Sequence, residues 1–341
     1  MASPTASSSL RAFAPTTALL ATALVIALPA GSAVARAAFG ACVVTAAGGA
    51  DDPELDRLSV AGLRAAELTG VAGRVLRGRS QAGAVSDLRS CAPAEAGITI
   101  GVGYGMATAV DQVATEFPRA SFAIVGVDVR TLRHRPANVE GLLFKDEEAG
   151  YLAGYAAGLW AKKQGGAAVG SVGALDIPQV ERAVAGFRFG ATRAAPGIRT
   201  LNGYSGGFAV PANCEQQALA QIAEGSVVEF QVAGPCGAGV FAAARAKRTA
   251  AIGFGADQSS FGPFVLTSAL ERADRAVEDA VRSARAGQFP GGVNVILGVQ
   301  RGGIGYGTWS PRVPASIRKA VSAQYALLKA GRITGIPTTL P

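Results

Sequence analysis

The residues able to do chemistry are few and poorly placed for catalysis. The chain has a single histidine, His134, inside Arg133-His134-Arg135-Pro136. A Ser-His-Asp triad or a histidine-based metal site would have to use it, and its setting reads as a solvated loop. Binding chemistry is better represented. Asp51 and Asp52 stand before Pro53 and the helical run Glu54–Leu68; they can cap that helix, or cap it and reach a ligand as well. Gly101-Val102-Gly103-Tyr104-Gly105 and Gly234-Pro235-Cys236-Gly237-Ala238-Gly239 each follow a strand-like run and precede a helical one. Such turns bring backbone amides at a helix N-terminus close to a ligand. Neither is a G-x-G-x-x-G fingerprint with its acidic partner, and there is no phosphate-loop lysine. Tyr104, between glycines, and Phe208, after Gly206-Gly207, are aromatics that can stack on a ligand or pack inward. Asp257 can accept from a ligand or close an Asx turn. Glu229, inside an apolar strand, needs a partner if buried.

The elements that must position these residues alternate. Cys42–Thr45, Ile98–Gly103, Phe122–Val125 and Val139–Phe144 read as strands, with helical patterns over Glu54–Leu68, Met106–Glu116 and Glu147–Lys163. A second set follows: strands Ala168–Val172, Ile198–Leu201, Val227–Val232 and Ala250–Phe254, with helices Val180–Arg193, Ala212–Glu224 and Gly237–Lys247 between them. Continuous apolar strands separated by helices mean parallel sheets covered on both faces. Two sets predict two doubly wound α/β lobes, each binding at its strand C-termini, with those edges facing across one cleft.

Composition agrees. Of 341 residues, 49% are hydrophobic and 16% charged, which excludes a disordered chain. The net charge of +8 is spread along the sequence with no basic block or finger spacing, so no nucleic-acid partner is expected. Residues 1–37 read as a Sec-type signal peptide: the apolar run Ala18–Leu28 is too short to span a bilayer and is followed by A-x-A sites between Ala33 and Ala37. An exported protein, extracellular, cell-surface or periplasmic, is expected. Cys42 follows Phe39-Gly40-Ala41 and lies well past Leu28, so no lipid anchor is expected. Four cysteines in an exported chain favour disulfides and allow three pairings. Cys42–Cys91 and Cys214–Cys236 join neighbouring elements within each half.

From its middle onward the chain resembles the basic membrane protein family, the purine-nucleoside-receptor-like solute-binding proteins of ABC importers. The resemblance rests on Asn138-Val139-Glu140-Gly141-Leu142-Leu143-Phe144 with Glu148-Ala149-Gly150-Tyr151-Leu152-Ala153-Gly154, then Val169–Gly173 with Asp176-Ile177-Pro178, Gly186-Phe187, Gly207-Phe208, Ala233-Gly234, Asp257-Gln258, Val265-Leu266-Thr267-Ser268 and Gly302–Tyr306. It spans residues 41 to about 310 as an ordered series. It implies a type I periplasmic-binding fold with three interlobe crossovers, and binding without catalysis. It also implies a small-molecule ligand, no cofactor or metal, and a permease and an ATPase as separate chains; a monomer is expected. The lobes should comprise 39–164 plus 264–300, and 165–263 plus 301–341.

The resemblance also marks departures at the ligand site. The family's aromatic and amide in the first helix align with Leu55 and Asp56. Its aspartate after the strand Phe122–Val125 aligns with Gly126, with Asp128 nearby. The first aspartate of its paired motif aligns with Gly255, leaving Asp257, and its lysine aligns with Glu271. Phe208 keeps a stacking aromatic. The expected ligand set is therefore Asp51, Asp52, Leu55, Asp56, Tyr104, Asp128, Phe208, Gly234, Gly237, Gly255, Asp257 and Glu271. The changes imply weakened purine-nucleoside binding and a neutral or cationic polar ligand. Two other readings remain at this point: a surface protein that senses a ligand and signals to a membrane receptor, and an exported enzyme that would depend on His134.

Overall fold

The computed structural model describes residues 39–45, 53–78, 80–92 and 97–340. The signal-peptide segment and the Asp51-Asp52 pair lie outside them.

The first sheet takes β1 (Gly40–Thr45), β2 (Ala72–Arg77), β3 (Gly97–Val102), β4 (Ser121–Val125) and β5 (Val139–Phe144), with α1 (Pro53–Glu67), α2 (Gln81–Cys91) and α3 (Ala107–Glu116) as crossovers. The chain then runs through α4 (Asp146–Gln164), β6 (Ala168–Gly173), α5 (Pro178–Ala194), β7 (Arg199–Tyr204), α6 (Pro211–Ala223), β8 (Ser226–Val232), α7 (Gly237–Ala246), β9 (Ala250–Gly255) and β10 (Val265–Glu271). It closes with α8 (Ala273–Arg285), β11 (Asn294–Leu297), β12 (Ile304–Tyr306) and α9 (Ala315–Lys329). The strand order is β11-β5-β4-β3-β1-β2 in one sheet and β12-β10-β9-β8-β6-β7 in the other. All pairings are parallel except β10 with β12. β4, β5 and β6 are buried almost end to end, as strands covered on both faces must be.

The lobe boundaries differ from those read in the sequence. Helix α4 packs on the second lobe, not the first, and β10 is hydrogen-bonded into the second sheet. The first lobe ends at Phe144, and only α8 and β11 return to it. The reason lies in α4 itself. Gly150, Gly154 and Gly158 recur every fourth residue along one face. A Cβ at Gly150 or Gly154 would come within 1.9 Å of the Ala183 or Phe187 carbonyl oxygen of α5. The helix backbones therefore meet directly, and Tyr151, buried beside this seam, donates its hydroxyl to Gln324 Oε1 on α9 at 2.7 Å.

The chain crosses between lobes three times, at Lys145, at Arg272 and through Gly298–Gly303. These crossings are tied together. Lys145 N donates to Leu297 O (3.1 Å), Val299 N to Glu148 Oε2 (2.6 Å) and Arg272 N to Gly303 O (2.8 Å). Each lobe also contains one disulfide: Cys42 at the start of β1 bonds Cys91 at the end of α2, and Cys214 on α6 bonds Cys236 after β8.

Candidate functional site

The expected ligand residues among the described ones sit at strand C-termini and in the turns that follow. On the first lobe, Leu55 and Asp56 lie half-buried in the opening turns of α1, and Leu55 packs against the core. Tyr104 occupies a single 3-10 turn after β3 and is 69% exposed. Gly126, directly after β4, has φ +77°, a left-handed conformation that glycine adopts freely. Asp128 is committed locally. Its carboxylate accepts from Arg130 Nη2 (2.6 Å), from the Arg130 amide (2.8 Å) and from Asn294 Nδ2 on β11 (2.6 Å). The Arg130 contacts, helped by Asn294 against partial burial, hold its pKa well below the ordinary carboxylate range.

On the second lobe, Phe208 is half-buried at the sheet edge. Its carbonyl accepts from Cys236 N at 2.8 Å, and its ring lies 3.4 Å from where a Cβ on Gly234 would project. The Cys214–Cys236 bond thus fixes the turn against which this aromatic rests. Gly237 opens α7 with the Gln231 side chain where its own Cβ would be. Gly255 ends β9 at φ +89°. Asp257, like Asp128, serves the protein's own backbone. It accepts from Thr308 N (3.0 Å) and Oγ1 (2.5 Å) and from Ser259 N (3.1 Å). Burial raises its pKa, but these donors outweigh it and the net shift is downward.

Glu271 ends β10 with its carboxyl hydrogen-bonded to that of Asp146, the buried first residue of α4. Burial first, then Glu271, drives the Asp146 carboxyl well above its usual range; Arg182 on α5 opposes this and Glu147 adds to it. Two carboxyls in contact carry one proton between them more favourably than none. Where the resemblance expects a lysine, the wall is a carboxyl pair.

Several residues that organise the site were not singled out from the sequence. Gln231 Nε2 donates to Gln258 Oε1 (2.7 Å), which also accepts from Phe254 N (3.2 Å), so two glutamines lace the edge of the second sheet. Gln179, at the start of α5, donates across the lobes to Gly126 O at 3.3 Å. Asn294 and Thr308 are set in position by β11 and β12. His134 is not merely solvated: its amide and Nδ1 both bond the buried Asp111 carboxylate, at 3.0 and 2.7 Å. Gly203-Tyr204-Ser205-Gly206-Gly207 spells G-x-S-x-G, but Ser205 Oγ is turned onto Gly207 O at 2.9 Å, and the one histidine belongs to the first lobe.

A cavity of about 700 Å3 opens between the lobes, lined among others by Tyr104, Asp111, Asp128, His134, Gln179 and Arg182. It collects two of the expected ligand residues, Tyr104 and Asp128; Phe208, Gly234, Gly237, Gly255, Asp257 and Glu271 do not line it. A second cavity, about 530 Å3, lies beside Cys42 and Cys91 at the N-terminal ends of the first sheet, away from the facing edges. Among the described residues no group of three or more metal-ligating side chains forms a metal site, and no helix is long and apolar enough to cross a membrane.

Two parallel-sheet lobes joined by three crossings, with turns facing across a cleft, define the periplasmic solute-binding architecture. The comparisons agree. Residues 57–326 match the family described as Bmp, ABC transporter substrate-binding protein PnrA-like, and the chain belongs to that family. The "CD4+ T-cell-stimulating antigen" of Listeria monocytogenes is 31% identical over 290 residues, 78% of this chain and 79% of that protein. The "ABC transporter nucleoside-binding protein BmpA" of Lactococcus lactis is 28% identical over 70% of each chain. Among solved structures, an ABC-system solute-binding protein from Aeropyrum pernix K1 shares the fold, with a TM-score of 0.70 at 23% identity over 88% of this chain and 94% of that one.

Proposed function

We propose that this protein is the exported ligand-capturing component of an ABC importer. It holds a nucleoside-like or other small polar molecule between its lobes, without catalysis, and passes it to a separate permease and ATPase as a monomer. Family membership supports the class of protein. The commitment of Cys42 to Cys91 supports export without a lipid at that residue.

The single observation that carries the ligand reading is the Asp146–Glu271 carboxyl pair, standing where the resemblance places a lysine. With Leu55 in place of an aromatic, and left-handed glycines at Gly126 and Gly255, the wall loses base-stacking and ribose-bonding groups and gains acid. Asp51, Asp52 and Asp56 would add acceptors on the first lobe. Asp128 and Asp257 would take part only by sharing oxygens with Arg130, Asn294 and Thr308. Losing one stacking contact, worth ~1–3 kcal/mol, and one charge-assisted hydrogen bond, worth ~1.5–3 kcal/mol, weakens a nucleoside by about two to four decades. The reading is therefore a neutral or cationic polar ligand. Calorimetry with inosine, guanosine and adenosine tests it: weak or absent binding is expected, and submicromolar affinity for any of the three would overturn it.

A further inference from the structure

The 700 Å3 cavity has a chemistry of its own. Its first-lobe wall is α3 and the loop 127–134, and its second-lobe wall is the opening of α5. Its acids are already answered. Asp128 is held by Arg130 and Asn294, and both oxygens of the buried Asp111 are taken by His134. Its cations are not. Arg182, half-buried in the wall, and Arg133, on the rim, make no ion pair among the described residues. Arg182 acts on the Asp146 and Glu147 carboxyls through its field, without an ion pair to either. Ile177, which precedes α5, provides no side-chain cap. Pro178 has no N–H and Glu181 N bonds Ile177 O, so the amides of Gln179 and Val180 remain at a 17-residue helix's positive end. A cavity lined by two guanidinium groups outside any ion pair and by a helix N-terminus favours anions. A volume of about 700 Å3 is ample for a small-molecule ligand.

We propose that this flank cavity is a second ligand site for a small oxyanion, a carboxylate or a phosphate, held by Arg182 with Arg133. It shares Tyr104 and Asp128 with the cleft reading above but none of that reading's second-lobe residues. Because its walls come from both lobes, an occupant binds the closed arrangement in preference to an open one. It thereby reinforces the Gln179–Gly126 bond that already joins the lobes.

The test is calorimetry and thermal unfolding of the full mature protein with inorganic phosphate and with citrate, against sodium chloride at matched ionic strength. The expected result is saturable heat and a saturable rise in Tm with at least one probe. Which probe acts separates a phosphate from a carboxylate ligand. Arg182→Gln should weaken the response at least tenfold. Arg133→Gln, on the accessible rim, should weaken it severalfold; it decides the matter if Arg182→Gln does not fold. Responses to both probes no greater than to chloride, or full affinity retained in the folded variants, would overturn the proposal.

Discussion

The carboxyl of Asp146, first residue of α4, is hydrogen-bonded to the carboxyl of Glu271, last residue of β10. Each belongs to an element one residue away from an interlobe crossing, Lys145 for one and Arg272 for the other. The two hinge strands are thus joined by a contact that requires a proton. Changing Glu271→Lys should convert the pair into an ion pair with Asp146 and restore the residue that the family resemblance expects. Affinity for inosine should rise by about tenfold or more, the ~1.4 kcal/mol of one charge-assisted contact. Titration calorimetry of the variant beside the parent protein measures it, and unchanged affinity would show that this wall does not face the ligand.

A second prediction concerns Glu229, which is fully buried within β8 with its pKa raised by burial to about 8. Gly170 on the neighbouring β6 leaves room for it: a Cβ there would meet the Glu229 carboxyl and Gln221 Oε1. Gln221 Nε2 is spent on Ser171 O, and its Oε1, buried on the same side, has no donor. A native pKa above the unfolded value means that the native state holds the extra proton. Stability is then full below about pH 4.5 and falls as pH rises toward 8. The slope from this group is at most ~1.4 kcal/mol per pH unit. Urea unfolding at several pH values should show it, and Glu229→Gln should flatten the profile.

The α4–α5 seam gives a third. A methyl group at Gly154 would sit 1.9 Å from the Phe187 carbonyl oxygen, which is backbone and cannot swing aside. Gly154→Ala should therefore lower stability by ~1–3 kcal/mol through overpacking, despite alanine's better helix propensity. Gly165→Ala is a different case, since its cost arises from φ +68° at the α4 C-cap and not from crowding. Denaturant midpoints of the two variants separate the causes when combined with a double mutant, whose losses should add.

The fourth concerns the Cys214–Cys236 bond, which closes a loop of 22 residues and holds the turn behind Phe208. Replacing both cysteines by serine should cost ~3–4 kcal/mol of stability by freeing the unfolded chain. Cys42–Cys91 spans 49 residues and should cost slightly more when removed. Thermal unfolding of each double variant gives the comparison.

Much of the architecture was legible because its signals are local. Continuous apolar runs and glycine turns marked most strands, and neighbouring elements suggested the disulfide pairs. Which lobe α4 joins was not legible from its position after β5. That depends on Gly150, Gly154 and Gly158 meeting α5, a fit between two helix surfaces that periodicity alone does not disclose. The roles of Asp128 and Asp257 were hidden for a similar reason. Their partners Asn294 and Thr308 lie 166 and 51 residues away and are brought in by β11 and β12. Asp146 was invisible as a site residue because only the fold sets it against Glu271.

The three crossings, bonded side by side through Lys145, Val299 and Arg272, behave mechanically as a ribbon. A ribbon folds about the axis lying across its width and resists torsion along its length. Lobe motion in this protein should thus have one soft coordinate, so that each turn on one side keeps the same opposite number through opening and closing. A ligand entering the cleft meets two surfaces whose register is already fixed, and binding spends little of its free energy on aligning them.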